Sequence, residues 1–180
     1  MTDDAWQSLR DQIIEKAVVR GKVILSSGRE ADYYVDLRRV TLDGVAAPLV
    51  GRVMRNLTAD WYAVAVGGLT LGADPVATAM LHDAAAAGVV LDAFVVRKAE
   101  KAHGLQRRIE GPDVAGRRVL AVEDTSTTGG SVLMAVDALL EAGAEIAGVA
   151  VIVDRGAGPA IVERGFEYRA AYSLADLGLE

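Results

Sequence analysis

Val119-Leu120-Ala121-Val122-Glu123-Asp124-Thr125-Ser126-Thr127-Thr128-Gly129-Gly130-Ser131 is the stretch that decides the fold. A short apolar run predicts a buried strand over 118–122. Two acids follow its end. A loop of small hydroxyl residues and glycines then opens into a helix expected over 130–142. Backbone N–H groups of such a loop, at a helix N-terminus, suit a phosphate. The two glycines let the backbone approach it closely. Adjacent carboxylates suit sugar hydroxyls or a metal-bound polyanion. Together these parts describe a site for a phosphorylated sugar. Helix capping alone needs far fewer small residues. The loop lacks the Gly-Lys-Ser/Thr of a Walker A motif and the Gly-x-Gly-x-x-Gly of a dinucleotide site.

Working outward, strands alternate with helices. Trp6, Leu9, Ile13, Ala17 and Val18 share a helical stripe over 4–19. Residues 22–36 read as two short strands around a turn at Ser26–Arg29. A second amphipathic helix is expected over 42–58. A strand at Ala63–Val66 ends at Gly67-Gly68, and an Ala-rich helix at 73–87 stops at Gly88. Further strands are expected at 91–96, 146–153 and 167–172, with a short helix near 158–164. Residues 98–115 are charged, carry Gly104, Gly111 and Pro112, and read as a long exposed loop. The order predicts an α/β fold with a mostly parallel sheet covered on both faces.

The chain has 180 residues, 52% of them hydrophobic, a net charge of −6 and no cysteine. That length supports one domain with its own core. The acidic balance argues against a nucleic-acid partner. Without cysteine and with only His82 and His103, Cys/His zinc sites are out. The acidic Met1-Thr2-Asp3-Asp4 start lacks an apolar leader, and no apolar run spans a membrane, so a cytoplasmic protein is expected.

Four further segments carry candidate chemistry. Arg97, Lys98, Lys101 and His103 cluster at the opening of the long loop; alone they read as a solvated charge run, but beside a phosphate loop they suit a departing polyanion. Gly67 to Pro75 reads as a tight connection, with Asp74 capping and Pro75 at the first helical position. Ser26 to Asp36 carries paired tyrosines, a common strand signal. Arg155 ends an apolar strand, where its fork can hold a planar anion or pair with Asp154.

The 123–131 motif resembles the phosphoribosyl pyrophosphate signature of the type I phosphoribosyltransferases. That resemblance implies that Glu123 and Asp124 hold the ribose hydroxyls. It also implies that Thr125, Ser126, Thr127, Thr128, Gly129, Gly130 and Ser131 form the phosphate loop. Arg-Lys-x-x-Lys-x-His-Gly at 97–104 resembles the mobile catalytic loop of the orotate branch. By that likeness Arg97, Lys98, Lys101 and His103 contact pyrophosphate, and the loop at 98–115 is shared across a homodimer. Catalytic roles then fall to Lys98, Lys101, His103 and Asp124. Gly67–Pro75 matches the family's pyrophosphate loop, with Leu71 where some relatives carry lysine. Tyr34, Thr127 and Arg155 are expected at orotate, and Ser26 replaces a lysine that some members use there.

The resemblance runs from about residue 20 to 156 and implies a type I phosphoribosyltransferase fold. Residues 1–40 would supply the N-terminal helix and a small hood. The implied reaction joins orotate to phosphoribosyl pyrophosphate, giving orotidine 5′-monophosphate and pyrophosphate in pyrimidine biosynthesis. Mg²⁺ would be held mainly by substrate, with no direct protein ligand. A transferase for another base and a non-catalytic phosphoribosyl sensor are the alternatives.

Overall fold

A computed structural model describes residues 4–24, 30–98 and 108–179. Helix α1 (Asp4–Lys16) forms on the expected stripe, with Leu9 and Ile13 fully buried one turn apart. It ends earlier than its apolar pattern, because Val18 already opens strand β1 (Val18–Ile24). β-Branched Val18 and Val19 favour the extended chain over another helical turn. Strand β2 (Glu30–Val35) pairs antiparallel with β1, and the two form a small sheet apart from the main one.

The main sheet is built from β3 (Ala65–Leu69), β4 (Asp92–Val96), β5 (Ile109–Glu110), β6 (Arg118–Ser126), β7 (Glu145–Asp154) and β8 (Tyr168–Tyr172). Its order is β5-β4-β3-β6-β7-β8. All neighbours are parallel except β5, which runs antiparallel to β4 at the edge. The pleat of β6 sorts its side chains. Leu120 and Val122 join the core under α1, α3 (Ala46–Thr58) and α4 (Ala73–Ala86). Val119 and Ala121 join the core under α5 (Gly130–Glu141) and α6 (Gly158–Glu163). A strand buried on both faces must be apolar at every position, which is why the central strands read as continuous hydrophobic runs. Truncating Leu120 or Leu139, both fully buried, to alanine is expected to cost roughly 2–5 kcal/mol.

Several boundaries differ from the sequence reading. The expected helix at 42–58 divides into a single turn, α2 (Arg38–Thr41), and α3. Asp43 causes the break, because its Oδ1 accepts the backbone N–H groups of Val45 and Ala46 at 3.0 and 2.9 Å. Gly67 and Gly68 lie inside β3 and do not end it. They are glycines because the sheet is tight there: a Cβ on Gly68 would sit 2.7 Å from the Ala73 Cβ. Strand β6 runs on through Glu123, Asp124 and Thr125 to Ser126, so the acids are strand residues. Within the segment expected as loop over 98–115, Ile109–Glu110 form β5 and Val114 is buried. Residues 99–107 lie outside the described residues.

Candidate active site

Strands β3, β4, β6 and β7 are parallel, so their carboxyl ends share one edge, where ligands of open α/β sheets bind. A cavity of about 330 Å³ opens at that edge. It brings together six residues expected from the sequence: Tyr34, Lys98, Glu123, Asp124, Thr125 and Ser131. The wall is completed by the Thr70-Leu71-Gly72 connection and by Asp36 and Arg38.

The acid pair is the electrostatic centre. Glu123 is buried, at 6% exposure, and Asp124 is half-buried. Burial pushes both carboxyls above their ordinary range, and repulsion from Asp124 adds to the rise at Glu123. The Thr125 N–H donates to Asp124 Oδ1 at 2.6 Å, and the more distant Arg38 also favours the Asp124 anion. These contacts do not offset its desolvation. Gly72 faces the pair directly: a Cβ there would collide with Glu123 Oε1 and lie 2.9 Å from Asp124 Oδ1. Desolvated, under-partnered carboxylates at a cavity wall are strong acceptors for sugar hydroxyls.

Beyond the acids, Gly129 takes φ +79° at the N-cap of α5, a left-handed turn that suits glycine. At the start of this twelve-residue helix the Gly130 N–H donates to Thr128 Oγ1 at 3.4 Å, and the remaining first-turn N–H groups have no intrahelical acceptor. Thr127, Thr128 and Ser131 are exposed beside them. The Arg155 N–H donates to Ser126 O at 2.9 Å, tying the end of β7 to the start of this turn. Asp154 does not pair with Arg155. Its Oδ1 accepts the N–H groups of Gly156 and Ala157, each at 2.8 Å. Arg155 Nε is buried with no hydrogen-bond partner among the described residues, and the side chain lies off the cavity wall.

Arg97 is also off the wall. Its guanidinium meets Glu110 at 3.6 Å, and its N–H donates to Arg108 O at 2.7 Å. Lys98 lines the cavity of its own chain. Lys101 and His103 lie outside the described residues. Asp74 is not the cap expected for α4: it lies inside the first turn, and Thr70 Oγ1 donates to its Oδ2 at 2.6 Å.

Asp36 and Arg38 escaped the sequence reading. Their one local signal was position, just after a tyrosine strand, and only their place on the cavity wall gives it meaning. Among the described residues no group of three or more possible ligands gathers, so a Mg²⁺ ion at this edge would take most of its oxygens from a ligand. No helix among the described residues is long and apolar enough to cross a membrane.

Comparison with known proteins agrees with this geometry. Residues 47–166 match the phosphoribosyl transferase domain family. The orotate phosphoribosyltransferase of Streptomyces avermitilis is 67% identical over 181 residues, covering 99% of this chain and 100% of that protein. The crystal structure of the Mycobacterium tuberculosis orotate phosphoribosyltransferase with Fe(III) dicitrate superimposes with a TM-score of 0.89 at 58% identity, over 97% of this chain and 99% of that one. The same enzyme in complex with 5-phospho-α-D-ribosyl 1-diphosphate gives 0.85 at 54% identity, again over 97% and 99%.

Proposed function

The chain belongs to the orotate phosphoribosyltransferases, within the phosphoribosyl transferase domain family, and from that premise we propose that it transfers a phosphoribosyl group to orotate. The pyrimidine N1 attacks C1′ of the ribose, the C1′–oxygen bond to pyrophosphate breaks, and the N1 proton is released. The relatives compared above give no support to another base or to a non-catalytic sensor. One observation carries the reading: a desolvated acid pair adjoins a glycine turn and a helix N-terminus at one sheet edge.

In this reading Glu123 and Asp124 hold the ribose hydroxyls. The N–H groups and hydroxyls of Thr125 to Ser131 hold the 5′-phosphate. Lys98, with Lys101 and His103, offsets the charge that grows on pyrophosphate, and Arg97 is freed from Glu110 to join them. Catalysis is then mostly positioning and charge stabilisation, because the transition state at carbon resembles an oxocarbenium ion. Tyr34, Thr127 and Arg155 hold the pyrimidine. Mg²⁺ supplies charge neutralisation through substrate oxygens when bound.

We place the reaction in the cytoplasm, carried out by a homodimer that shares the 98–115 loop. An apolar groove along α3 and α4, with Leu42 and Val45 each 68% exposed beside it, supports the dimer. Leu71 lines both that groove and the cavity, so a second copy seated there would adjoin the site.

Loss of orotate absorbance in the presence of phosphoribosyl pyrophosphate and Mg²⁺ tests the reaction; no turnover overturns it. Lys101→Ala is expected to lower kcat far more than it raises the KM for the ribosyl donor. Mixing Lys101→Ala with Asp124→Asn protein is expected to restore activity, because Lys98 lines the cavity of its own chain and Lys101 is the loop cation left to cross. Failure of every mixture to do so rules out the shared loop.

A further inference from the structure

The cavity holds a cation that none of these roles uses. Arg38 opens α2, and its Nε donates to Asp36 Oδ1 at 3.1 Å. The same oxygen accepts the Arg38 backbone N–H at 3.3 Å. This two-point hold fixes the root of the side chain, which stays 48% exposed. Nε is thereby occupied, and among the described residues neither terminal nitrogen of the guanidinium has a hydrogen-bond partner, so both can meet a ligand. Arg38 lines the same cavity as Tyr34 and Asp124, and both add to the field at its guanidinium. It therefore shares one wall with the tyrosine and with the acid pair. Among the described wall residues, Arg38 and Lys98 are the two cations.

The chemistry of the acceptor says where its charge must be met. Orotate carries its carboxylate on the carbon next to N1, the atom that bonds to the ribose. When that bond forms, the carboxylate lies at the junction of base and sugar. A group that reads it must stand at that junction, and a planar fork matches a carboxylate better than a point charge does.

We propose that Arg38, held by Asp36, is a specificity-determining residue that receives the carboxylate of the acceptor pyrimidine. This rests on the orotate reading above. Without the contact, the site loses its preference for a carboxylated pyrimidine over uracil, which has the same ring and no carboxylate. If Arg38 only bridges to Asp36 at the surface, its removal leaves that preference intact.

Steady-state kinetics of Arg38→Gln, Arg38→Ala and Arg38→Lys, each with orotate and with uracil, test the proposal. Arg38→Gln and Arg38→Ala are expected to raise the KM for orotate about 10- to 100-fold, as loss of a charge-assisted hydrogen bond implies. The KM for phosphoribosyl pyrophosphate and the Tm should hold, the orotate-over-uracil preference should shrink, and Arg38→Lys should recover part of it. An orotate KM within twofold of the parent overturns the proposal. So does an equal rise in both KM values, or an unchanged preference. If the parent protein itself fails to turn over orotate, the underlying reading falls first, so the two failures are distinguishable.

Discussion

Asp43 and the Glu123–Asp124 pair are carboxylates near the ends of regular elements, and their surroundings drive them in opposite directions. Asp43 accepts two N–H groups at the start of α3 and the Lys16 ammonium at 2.8 Å, which hold its pKa down to about 2. Glu123 is buried beside a half-buried Asp124, and desolvation raises the pKa of both. The first carboxylate is satisfied by its own chain and stabilises the fold. The second pair is held in a state that a ligand would satisfy better than the protein does. The contrast separates a stabilising acid from a functional one by what each lacks.

The largest effect should come from neutralising the functional side. Asp124→Asn is expected to lower kcat/KM on the order of 100- to 1,000-fold, as for a lost electrostatic contact in a transition state. Its Tm should stay level or rise. A large fall in Tm would mean that Asp124 is structural, and the contrast would fail. Gly72→Ala tests the same pair from outside, since its Cβ would strike Glu123. A loss of about 100-fold in activity is expected from the displaced acids, with about 1–3 kcal/mol of destabilisation from overpacking.

The pH dependence of stability sharpens the comparison. The folded pKa of Glu123 lies above its unfolded value of about 4.3. The folded state therefore binds more protons in that window, and the ligand-free protein loses stability as pH climbs from 4.3 through the raised value. Thermal melts of Glu123→Gln should show a flatter profile there and a higher Tm on the alkaline side. A profile parallel to that of the parent would contradict the burial argument. Asp43 has the reverse sign: its contribution is present above the unfolded value of about 3.9 and is lost as pH falls through about 2. Asp43→Ala should lower the Tm by a few degrees at neutral pH, a gap that closes between pH 4 and 2. This is the smallest effect, because the residue is only half-buried and solvent still screens it.

The legibility of the site followed the same division. Glu123, Asp124, Thr125 and Ser131 were readable because the motif is contiguous: apolar strand, acids, glycine turn and helix lie in one stretch of chain. The end of β6 was not, because Thr125 and Ser126 are polar. They are strand residues only through pairing with Val153 and Asp154 of β7. Residues 109–110 read as loop for a like reason, since two residues form a strand only when β4 supplies a partner edge. Gly72 looked like part of a tight turn. Its place against the acids depends on β3 and β6 being neighbours. Asp36 and Arg38 gain their place from the small β1–β2 sheet, whose position no local pattern encodes.

The sequence by itself determined the α/β class, the buried faces of α1 and α3, and a phosphoribosyl motif with its acids and glycines. Those features depend on side-chain period and turn chemistry within a few residues, so they can be read along the chain. The tertiary structure alone decided the strand order, the burial that raises the acid pair, the partners of Arg97 and Asp154, and the meeting of Arg38 and Asp124 at one cavity. These depend on residues dozens of positions apart being brought together, where burial and charge are set by packing and no longer by neighbours in sequence.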